Sequence, residues 1–269
     1  MTDKKIEESN EVPHASENVD AAQSAFLQCT LPTGLLDDDG ELHTETILRE
    51  MTGEEEDILT ARKGTMSHKL QMILEKCVVR VGSIDQSNAH WSRFIKTLTM
   101  TDRLFLIIRI RMASLGESYS FLATCTDEEC GHRSSQTVNL EEFKVIGMEK
   151  PKERTWKGML PRSKHAYTAK VQTGVEEEKI AKAAESEDSV SVLICSRLVD
   201  LNGVRPVTMQ MVKKMAMADR QFIREDLKSH EGVIENVAEV SCPKCGNEYK
   251  ADIMINDVGF FFPSATSNL

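Results

Sequence analysis

Residues 125–132 read CTDEECGH, with four residues between the two cysteines and a glycine and a histidine directly after the second. Two cysteines on a tight turn are typical of one half of a structural zinc site, which needs four ligands in a tetrahedral arrangement. The second half begins 117 residues after Cys125, in the stretch SCPKCG at 241–246. The sequence therefore predicts one structural Zn²⁺ ion bound by Cys125, Cys130, Cys242 and Cys245.

Other uses of these cysteines remain open at this stage. Each pair could form a separate two-cysteine site that is completed by His132 or by another chain. Alternatively, all four could be reduced thiols on two β-turns without a metal. A redox dithiol is disfavoured, because the Cys-Pro-Lys-Cys stretch lacks the βαβ context of such enzymes. The glycine after each pair, Gly131 and Gly246, suits a turn that requires a positive φ.

The offset of 117 residues recurs upstream of the two cysteine knuckles. The matching pairs, the last two with small gaps, are MTDRLFL (100–106) with MADRQFI (217–223), Arg80 with Arg197, TGEEEDI (52–58) with TGVEEEKI (173–180), and Leu31-Pro32 with Leu160-Pro161. Self-similarity over this length indicates an internal duplication, in which each copy is one structural unit.

We therefore predict an α+β fold of two tandem pseudo-symmetric lobes. Each lobe consists of helices and small antiparallel strands, and a zinc-ribbon-like four-cysteine site joins the two. The predicted division is a flexible acidic N-terminal arm at residues 1–27, a first repeat lobe at 28–150 and a second repeat lobe at 151–269. A linker is expected at 147–156, where the copies meet.

Local signals predict the elements of each unit. Asp39-Gly40 marks a β-hairpin, and Thr52 followed by acidic residues marks the start of a helix. Residues 67–79 carry an apolar stripe at helical spacing. A third helix is expected from Thr99 or Thr101 to Leu115; it is apolar nearly all round, whereas its counterpart at 219–228 is far more polar. Strands are expected beside the knuckles at 119–124, 136–140, 237–241 and 249–255.

Composition and charge argue against several classes of protein. The formal net charge is −10, whereas a protein that neutralises nucleic-acid phosphates needs a clustered excess of Lys and Arg. The N-terminus has no apolar core of a secretory signal, and the longest apolar run, Leu104–Met112, is too short to span a membrane. We therefore expect a protein of the reducing cytoplasm without a membrane anchor. There, Cys29, Cys77 and Cys195 are expected to be small buried side chains.

No catalytic motif is found in the sequence. It contains no phosphate-binding glycine loop, no HExxH and no GxSxG. A metal closed in by four thiolates has no open position for water or substrate. We therefore expect a structural metal, no enzymatic activity and no small-molecule substrate.

Five segments carry a resemblance to a known family: Leu31–Gly34 with DDDGELHTE, Thr52–Asp57, Cys77–Gly82, Thr101–Leu106, and the cysteine-glycine knuckles with the closing CPKCG…FFFP. In this order they resemble the baseplate proteins of contractile-tail bacteriophages and related contractile injection systems, in particular the family linked to assembly of the central hub. The first cysteine pair departs from the pattern, since a spacing of two residues is more usual. The resemblance implies a protein that is not an enzyme and that is either a virion component or an assembly factor.

The leading prediction is a structural or assembly component of a contractile phage tail baseplate, with a structural zinc. Its partners would be other baseplate and tail proteins, and it would reside in the virion tail after assembly in the host cytoplasm. Two alternatives remain open: a zinc-ribbon module that binds nucleic acid or regulates, and a transient tail or baseplate assembly chaperone. Phe260, Phe261 and Phe262 are either interface anchors or part of the core.

Overall fold

A computed structural model of the chain describes residues 26–184, 188–255 and 257–262. The arm predicted at residues 1–27 therefore lies outside the described residues, apart from Phe26 and Leu27, as does Pro263 of the FFFP stretch. Helices and small antiparallel sheets make up the described residues, which confirms the predicted α+β class.

The elements follow one another as two similar series. The first series is β1 (Leu27–Leu36), β2 (Leu42–Leu48), α1 (Gly53–Thr60), α2 (Met66–Cys77), β3 (Val78–Val81), β4 (Ile84–Asp85), α3 (Trp91–Thr97), α4 (Met100–Leu115), β5 (Ser118–Thr124), β6 (Arg133–Asn139) and β7 (Lys144–Ile146). The second series is β8 (Thr155–Met159), β9 (Ala166–Lys170), α5 (Gly174–Ala184), α6 (Ser189–Arg197), β10 (Leu198–Leu201), α7 (Met209–Lys213), α8 (Met217–Ser229), β11 (Val233–Glu235), β12 (Val237–Ser241), β13 (Glu248–Asp252) and α9 (Val258–Phe261).

We refer to the first series as the first lobe and to the second series as the second lobe. Each series contains one main antiparallel sheet and one two-stranded ribbon. In the first lobe the sheet order is β1-β2-β3-β4, and in the second lobe it is β10-β9-β8. The ribbons are β5-β6 and β12-β13, and each of them carries one cysteine knuckle in its loop. Strand β7 pairs with β11, so one small sheet takes a strand from each lobe.

The first hairpin forms at the predicted turn. The carboxylate of Asp37 accepts hydrogen bonds from the backbone N–H groups of Asp39 (3.0 Å) and Glu41 (2.8 Å), as short polar side chains do in turns. Gly40 adopts a φ of +79°, which favours glycine. The turn chemistry thus places β1 beside β2.

Helix α1 begins at the predicted cap, Thr52, whereas α2 begins at Met66 after a Thr65 cap that was not predicted. Thr52 and Glu55 form a capping box, in which the Glu55 carboxylate accepts the Thr52 N–H at 2.8 Å. The predicted stripe of α2 is buried at all four positions: Leu70, Ile73, Leu74 and Cys77. The helix ends at Cys77 and not at Val79, because a β-branched pair starts strand β3 there.

Helices α4 and α8 occupy different environments, as their compositions predict. Helix α4 buries Leu106, Ile107, Ile108 and Ile110 between layers, whereas α8 buries only Ile223 and Leu227 among its apolar residues. None of the helices in the described part of the chain combines the length and apolar character that a membrane span requires.

One predicted correspondence between the two series of elements is wrong. Arg80 lies within strand β3, whereas Arg197 is the last residue of helix α6 and is fully buried. Cys77, which ends α2, is therefore the position that corresponds to Arg197. The offset of 117 residues holds at α4 and α8 but not here, because the connections between elements differ in length.

The two hydrophobic clusters do not divide at the middle of the chain. The larger cluster combines the first lobe with side chains from the end of the chain, namely Ala238, Val240, Tyr249, Ile253, Ile255, Phe260 and Phe261. The smaller cluster contains the sheet and helices of the second lobe, including Tyr167, Ile194 and Ile223. The last ribbon and α9 are therefore packed on the first lobe.

The segment expected to be a linker, 147–156, is in close contact with the first lobe. A Cβ atom on Gly147 would lie 1.9 Å from the Pro32 carbonyl oxygen, so only glycine fits there. Arg154 donates a hydrogen bond to the Gly34 carbonyl at 2.7 Å. Strand β8 already begins at Thr155, so this segment is structured at its end.

Candidate metal centre

The two ribbons present their cysteines in the same way. Strand β5 leads into Cys125, whose N–H donates to the His132 carbonyl at 2.9 Å, and β12 leads into Cys242, whose N–H donates to the Asn247 carbonyl at the same distance. The glycine after each second cysteine has a positive φ, +51° at Gly131 and +75° at Gly246. Each turn thus brings both of its sulfur atoms to one side.

The four predicted ligands come together. The Sγ atoms of Cys125, Cys130, Cys242 and Cys245 all lie within 4.8 Å of one another. Across the two knuckles, the Sγ–Sγ distance is 3.7 Å from Cys125 to Cys245 and 3.8 Å from Cys130 to Cys242.

These distances fit a tetrahedral tetrathiolate site. With a Zn–S bond of about 2.3 Å, the edges of a regular tetrahedron of sulfurs measure about 3.8 Å. A disulfide would require sulfurs about 2.05 Å apart, and all seven cysteines are free. The donor set and its spacing therefore fit zinc, and the four-cysteine cluster joins one ribbon to the other.

The sulfurs influence one another's ionisation. Burial raises the pKa of Cys242, but the backbone N–H groups of Cys245 and Lys244 outweigh burial and bring this pKa down to about 7. The backbone N–H of Asn247 lowers the pKa of Cys245, whereas desolvation and the neighbouring sulfurs raise it to about 12. Four crowded sulfurs cannot all carry charge without a cation between them, and a divalent metal would supply that charge.

The other three cysteines are separate from this cluster. Burial is the main cause of the raised pKa values of Cys29, about 11, and of Cys77, about 12. Cys77 is fully buried, as predicted, whereas Cys29 and Cys195 are half-buried. Protonated thiols in apolar surroundings act as small hydrophobic side chains.

His132 and Asn247 stand at the same position of the two knuckles but differ in contacts. His132 is not part of the four-sulfur cluster, so the alternative of a two-cysteine site completed by His132 gains no support. The Asn247 side chain reaches across to the first knuckle, where its amide donates to Cys125 Sγ at 3.7 Å and to Thr126 Oγ1 at 3.3 Å. No local feature of the CGN stretch predicts this contact.

A second group of side chains with metal-ligand chemistry is Asp37, Glu41 and His43. It belongs to the β1–β2 turn, where the Asp37 carboxylate already accepts two backbone N–H groups and contacts His43 Nε2 at 2.9 Å. These contacts account for the group as part of the hairpin.

The aromatic stretch near the end of the chain is mostly core. Phe260 and Phe261 are buried and their rings meet edge to face, with centroids 5.6 Å apart. Phe262 is 37 % exposed. The side chain of Arg111, also buried, donates to the Phe260 carbonyl at 3.2 Å and to the carbonyls of Gly116 and Ser118.

The sequence model of one family, described as T4 bacteriophage base plate protein, matches residues 39–263, a range that includes both cysteine knuckles and most of both lobes. No curated protein and no solved structure shows a significant match.

Proposed function

This chain belongs to the T4 bacteriophage base plate protein family, and from that premise we propose that it is a structural or assembly component of a contractile tail baseplate, working through contacts with other tail proteins. The family assignment supports a structural role in the phage baseplate and a place in the virion tail. The match over residues 39–263 is the observation that carries the proposal. Within it, we propose that the protein has no enzymatic activity and that its metal is structural.

We propose further that the two lobes arose by internal duplication. Hydrogen bonds at corresponding positions support this. In the first lobe, the donors and acceptors are Thr33 N to Asp102, Met51 N to Ser114, Thr52 N to Glu55, Gly82 N to Glu45 O, and Arg103 Nη1 to Ile95 O. In the second lobe, the counterparts in the same order are Arg162 N to Asp219, Gln172 N to Glu231, Thr173 N to Glu176, Asn202 N to Ala166 O, and Arg220 Nη1 to Val212 O.

The two lobes expose different surfaces at corresponding places. In the first lobe, the start of α4 is covered by the second lobe: Met100 N donates to the Gln172 carbonyl at 3.1 Å, and Thr101 Oγ1 donates to the Gly232 carbonyl at 2.8 Å. The corresponding start of α8 is open, and Met217 there is 75 % exposed. We propose this open end of α8 as a contact surface for a neighbouring tail protein.

The proposed zinc ion would fix one ribbon against the other. The lobes also touch elsewhere: β7 pairs with β11, and buried Arg103 forms an ion pair with Glu177 at 2.8 Å. The metal would therefore be one of several interactions that hold the lobes together. Its thiolates would hold the cysteine loops of the two ribbons together.

The composition of purified phage particles tests the functional proposal. Mass spectrometry should detect the chain at a fixed ratio to other tail proteins. Its absence from finished particles, together with stalled tails in a deletion mutant, would instead identify a transient assembly chaperone. Normal tails in the deletion mutant would contradict both roles.

The contact surface is tested by a matched pair of substitutions. Met217→Asp should reduce incorporation into particles, because it places a charge on the proposed contact surface. Met254→Asp, at a methionine that is 69 % exposed and follows strand β13, should not. Equal incorporation of both variants would refute the assignment of the α8 end.

Elemental analysis tests the metal. The purified protein should contain about one zinc ion per chain, and Cys242→Ser should lose most of it, because three thiolates cannot close the tetrahedron. Cys195→Ser is the control and should retain the metal. Near-stoichiometric zinc in the Cys242→Ser protein would refute the four-thiolate site.

A further inference from the structure

The metal centre has a contact that the zinc proposal leaves unexplained. Asn247, on the second knuckle, directs its side-chain amide to the Cys125 sulfur of the first knuckle. The backbone carbonyl of the same residue accepts the Cys242 N–H. One residue thus contacts one ligand from each half of the site.

The chemistry of a tetrathiolate site gives such a donor a role. Four thiolates around one divalent cation leave a net charge of about −2 on the centre, and N–H donors to sulfur reduce the cost of holding that charge away from water. Cys125 is only 4 % exposed, so water contributes little to stabilising its sulfur. A donated amide N–H takes the place of that water.

The comparison of the two knuckles separates the side-chain role from the backbone role. His132 follows Cys130 and Gly131 just as Asn247 follows Cys245 and Gly246, and each residue offers its carbonyl to the first cysteine of its own knuckle. The backbone role is therefore common to both. The Asn247 side chain, in addition, donates a hydrogen bond to a sulfur of the opposite knuckle.

We propose that Asn247 is a positioning residue of the metal centre, whose amide orients the Cys125 thiolate and sets the register of the two knuckles toward each other. This inference rests on the proposed zinc site and adds a residue outside the four ligands. In metal sites, residues that hold a ligand in place commonly change metal affinity 10- to 100-fold when they are replaced.

Zinc competition with a chromogenic chelator provides the measurement. Asn247→Ala should weaken zinc binding about 10-fold, and Asn247→Asp should weaken it more, because a carboxylate replaces two N–H donors beside thiolates. Asn247→Gln, which retains an amide, should recover part of the loss. His132→Ala is the matched control and should bind zinc as the wild type does.

A spectroscopic readout distinguishes an effect on the sulfur from an effect on the loop. With Co²⁺ in place of zinc, the sulfur-to-metal charge-transfer band should shift in Asn247→Ala, because the electron density on one thiolate changes. Thr126→Val removes the other acceptor of the same amide and should leave both the band and the affinity close to those of the wild type.

The outcomes separate the two proposals. If the wild-type protein binds no zinc, the metal centre itself is refuted, and the role of Asn247 with it. If the wild type binds zinc and Asn247→Ala binds it equally well, only the inference fails. An equal loss in Thr126→Val and Asn247→Ala would also overturn it, since the amide would then act on the loop and not on the thiolate.

Discussion

Replacing Asp102 with alanine should destabilise the protein far more than the same change at Asp219. The two carboxylates perform the same task in the two lobes, since each accepts two backbone N–H groups from the turn after a Leu-Pro pair. For Asp102 the donors are Thr33 at 2.8 Å and Gly34 at 3.3 Å. For Asp219 they are Arg162 at 2.8 Å and Ser163 at 3.1 Å.

The difference arises from the burial of the donors. Thr33 and Gly34 are buried, whereas Arg162 and Ser163 are exposed to water. Burial raises the pKa of Asp102; at Asp219 burial acts in the same direction, but the N–H donors outweigh it and hold the pKa below 3.8. Removing the Asp102 carboxylate therefore leaves two buried N–H groups without an acceptor. The variant also avoids the cost of burying a charged carboxylate, but this gain offsets only part of the loss.

The expected losses of stability follow from the number of buried N–H donors that each substitution leaves without an acceptor. An unsatisfied buried donor costs about 1–3 kcal/mol, so Asp102→Ala should lower the free energy of unfolding by about 3 kcal/mol after that offset. Water can replace the lost acceptor in the second lobe, so Asp219→Ala should cost about 1 kcal/mol. Asp102→Asn retains one acceptor oxygen and should fall between the wild type and Asp102→Ala.

Urea unfolding, followed by tryptophan fluorescence, measures both variants. Trp91 belongs to the larger hydrophobic cluster and Trp156 packs against the smaller one, so Trp→Phe backgrounds report on each lobe separately. Separate probes are needed because a chain with two clusters need not unfold in one step. Equal losses in the two variants, or a larger loss for Asp219→Ala, would refute the reasoning from burial.

Three further predictions concern pH, the end of the chain and metal removal. Burial opposes ionisation of Glu55, but hydrogen bonds from Arg49 and Thr52 outweigh burial and hold the pKa of Glu55 at about 2, below the ordinary 4.5. The stability that the ionised carboxylate contributes is therefore present above pH 4.5 and is lost as the pH falls toward 2. Glu55→Gln should therefore lower the free energy of unfolding by about 2 kcal/mol at pH 7, after allowance for solvent screening. The difference in urea midpoint between the variant and the wild type should shrink below pH 4.5. A difference that stays constant with pH would contradict the role assigned to the Glu55 carboxylate. Arg111→Lys cannot reach all three carbonyls and should speed protease cleavage near Phe262, whereas Arg93→Lys, an exposed control, should not. Chelation should lower the melting temperature of the wild type but not that of Cys242→Ser, and equal shifts in both would show that the chelator acts elsewhere.

Much of the local structure could be predicted from the sequence because its signals lie within a few residues. Asp39-Gly40 determines a hairpin turn, and Thr52 with Glu55 forms a capping box that spans four residues. The apolar stripe from Leu70 to Cys77 repeats at helical spacing and is buried. The cysteine spacing was sufficient to name the four cysteines whose sulfurs the structure brings together, and their role as zinc ligands stays a prediction.

The missed features depend on contacts between distant parts of the chain. The expected pairing of Arg80 with Arg197 failed because a constant offset ignores differences in the lengths of connections. The contact from Asn247 to Cys125 joins residues on different knuckles, so no local pattern reveals it. Arg111 is buried against backbone carbonyls and two aromatic rings, and one of these contacts joins it to Phe260, 149 residues away.

The sequence alone determined the first hairpin turn, the start of α1, the buried stripe of α2, the four cysteines that come together and the resemblance between the two halves. Turns, caps, periodicity and cysteine spacing are all visible within a few residues. Tertiary structure alone decided which lobe buries which segment. The last ribbon and Phe260 and Phe261 pack on the first lobe, and the start of α4 is covered where that of α8 is open. The physical reason is that burial depends on which surfaces meet, and two similar sequences can meet different neighbours in the folded chain.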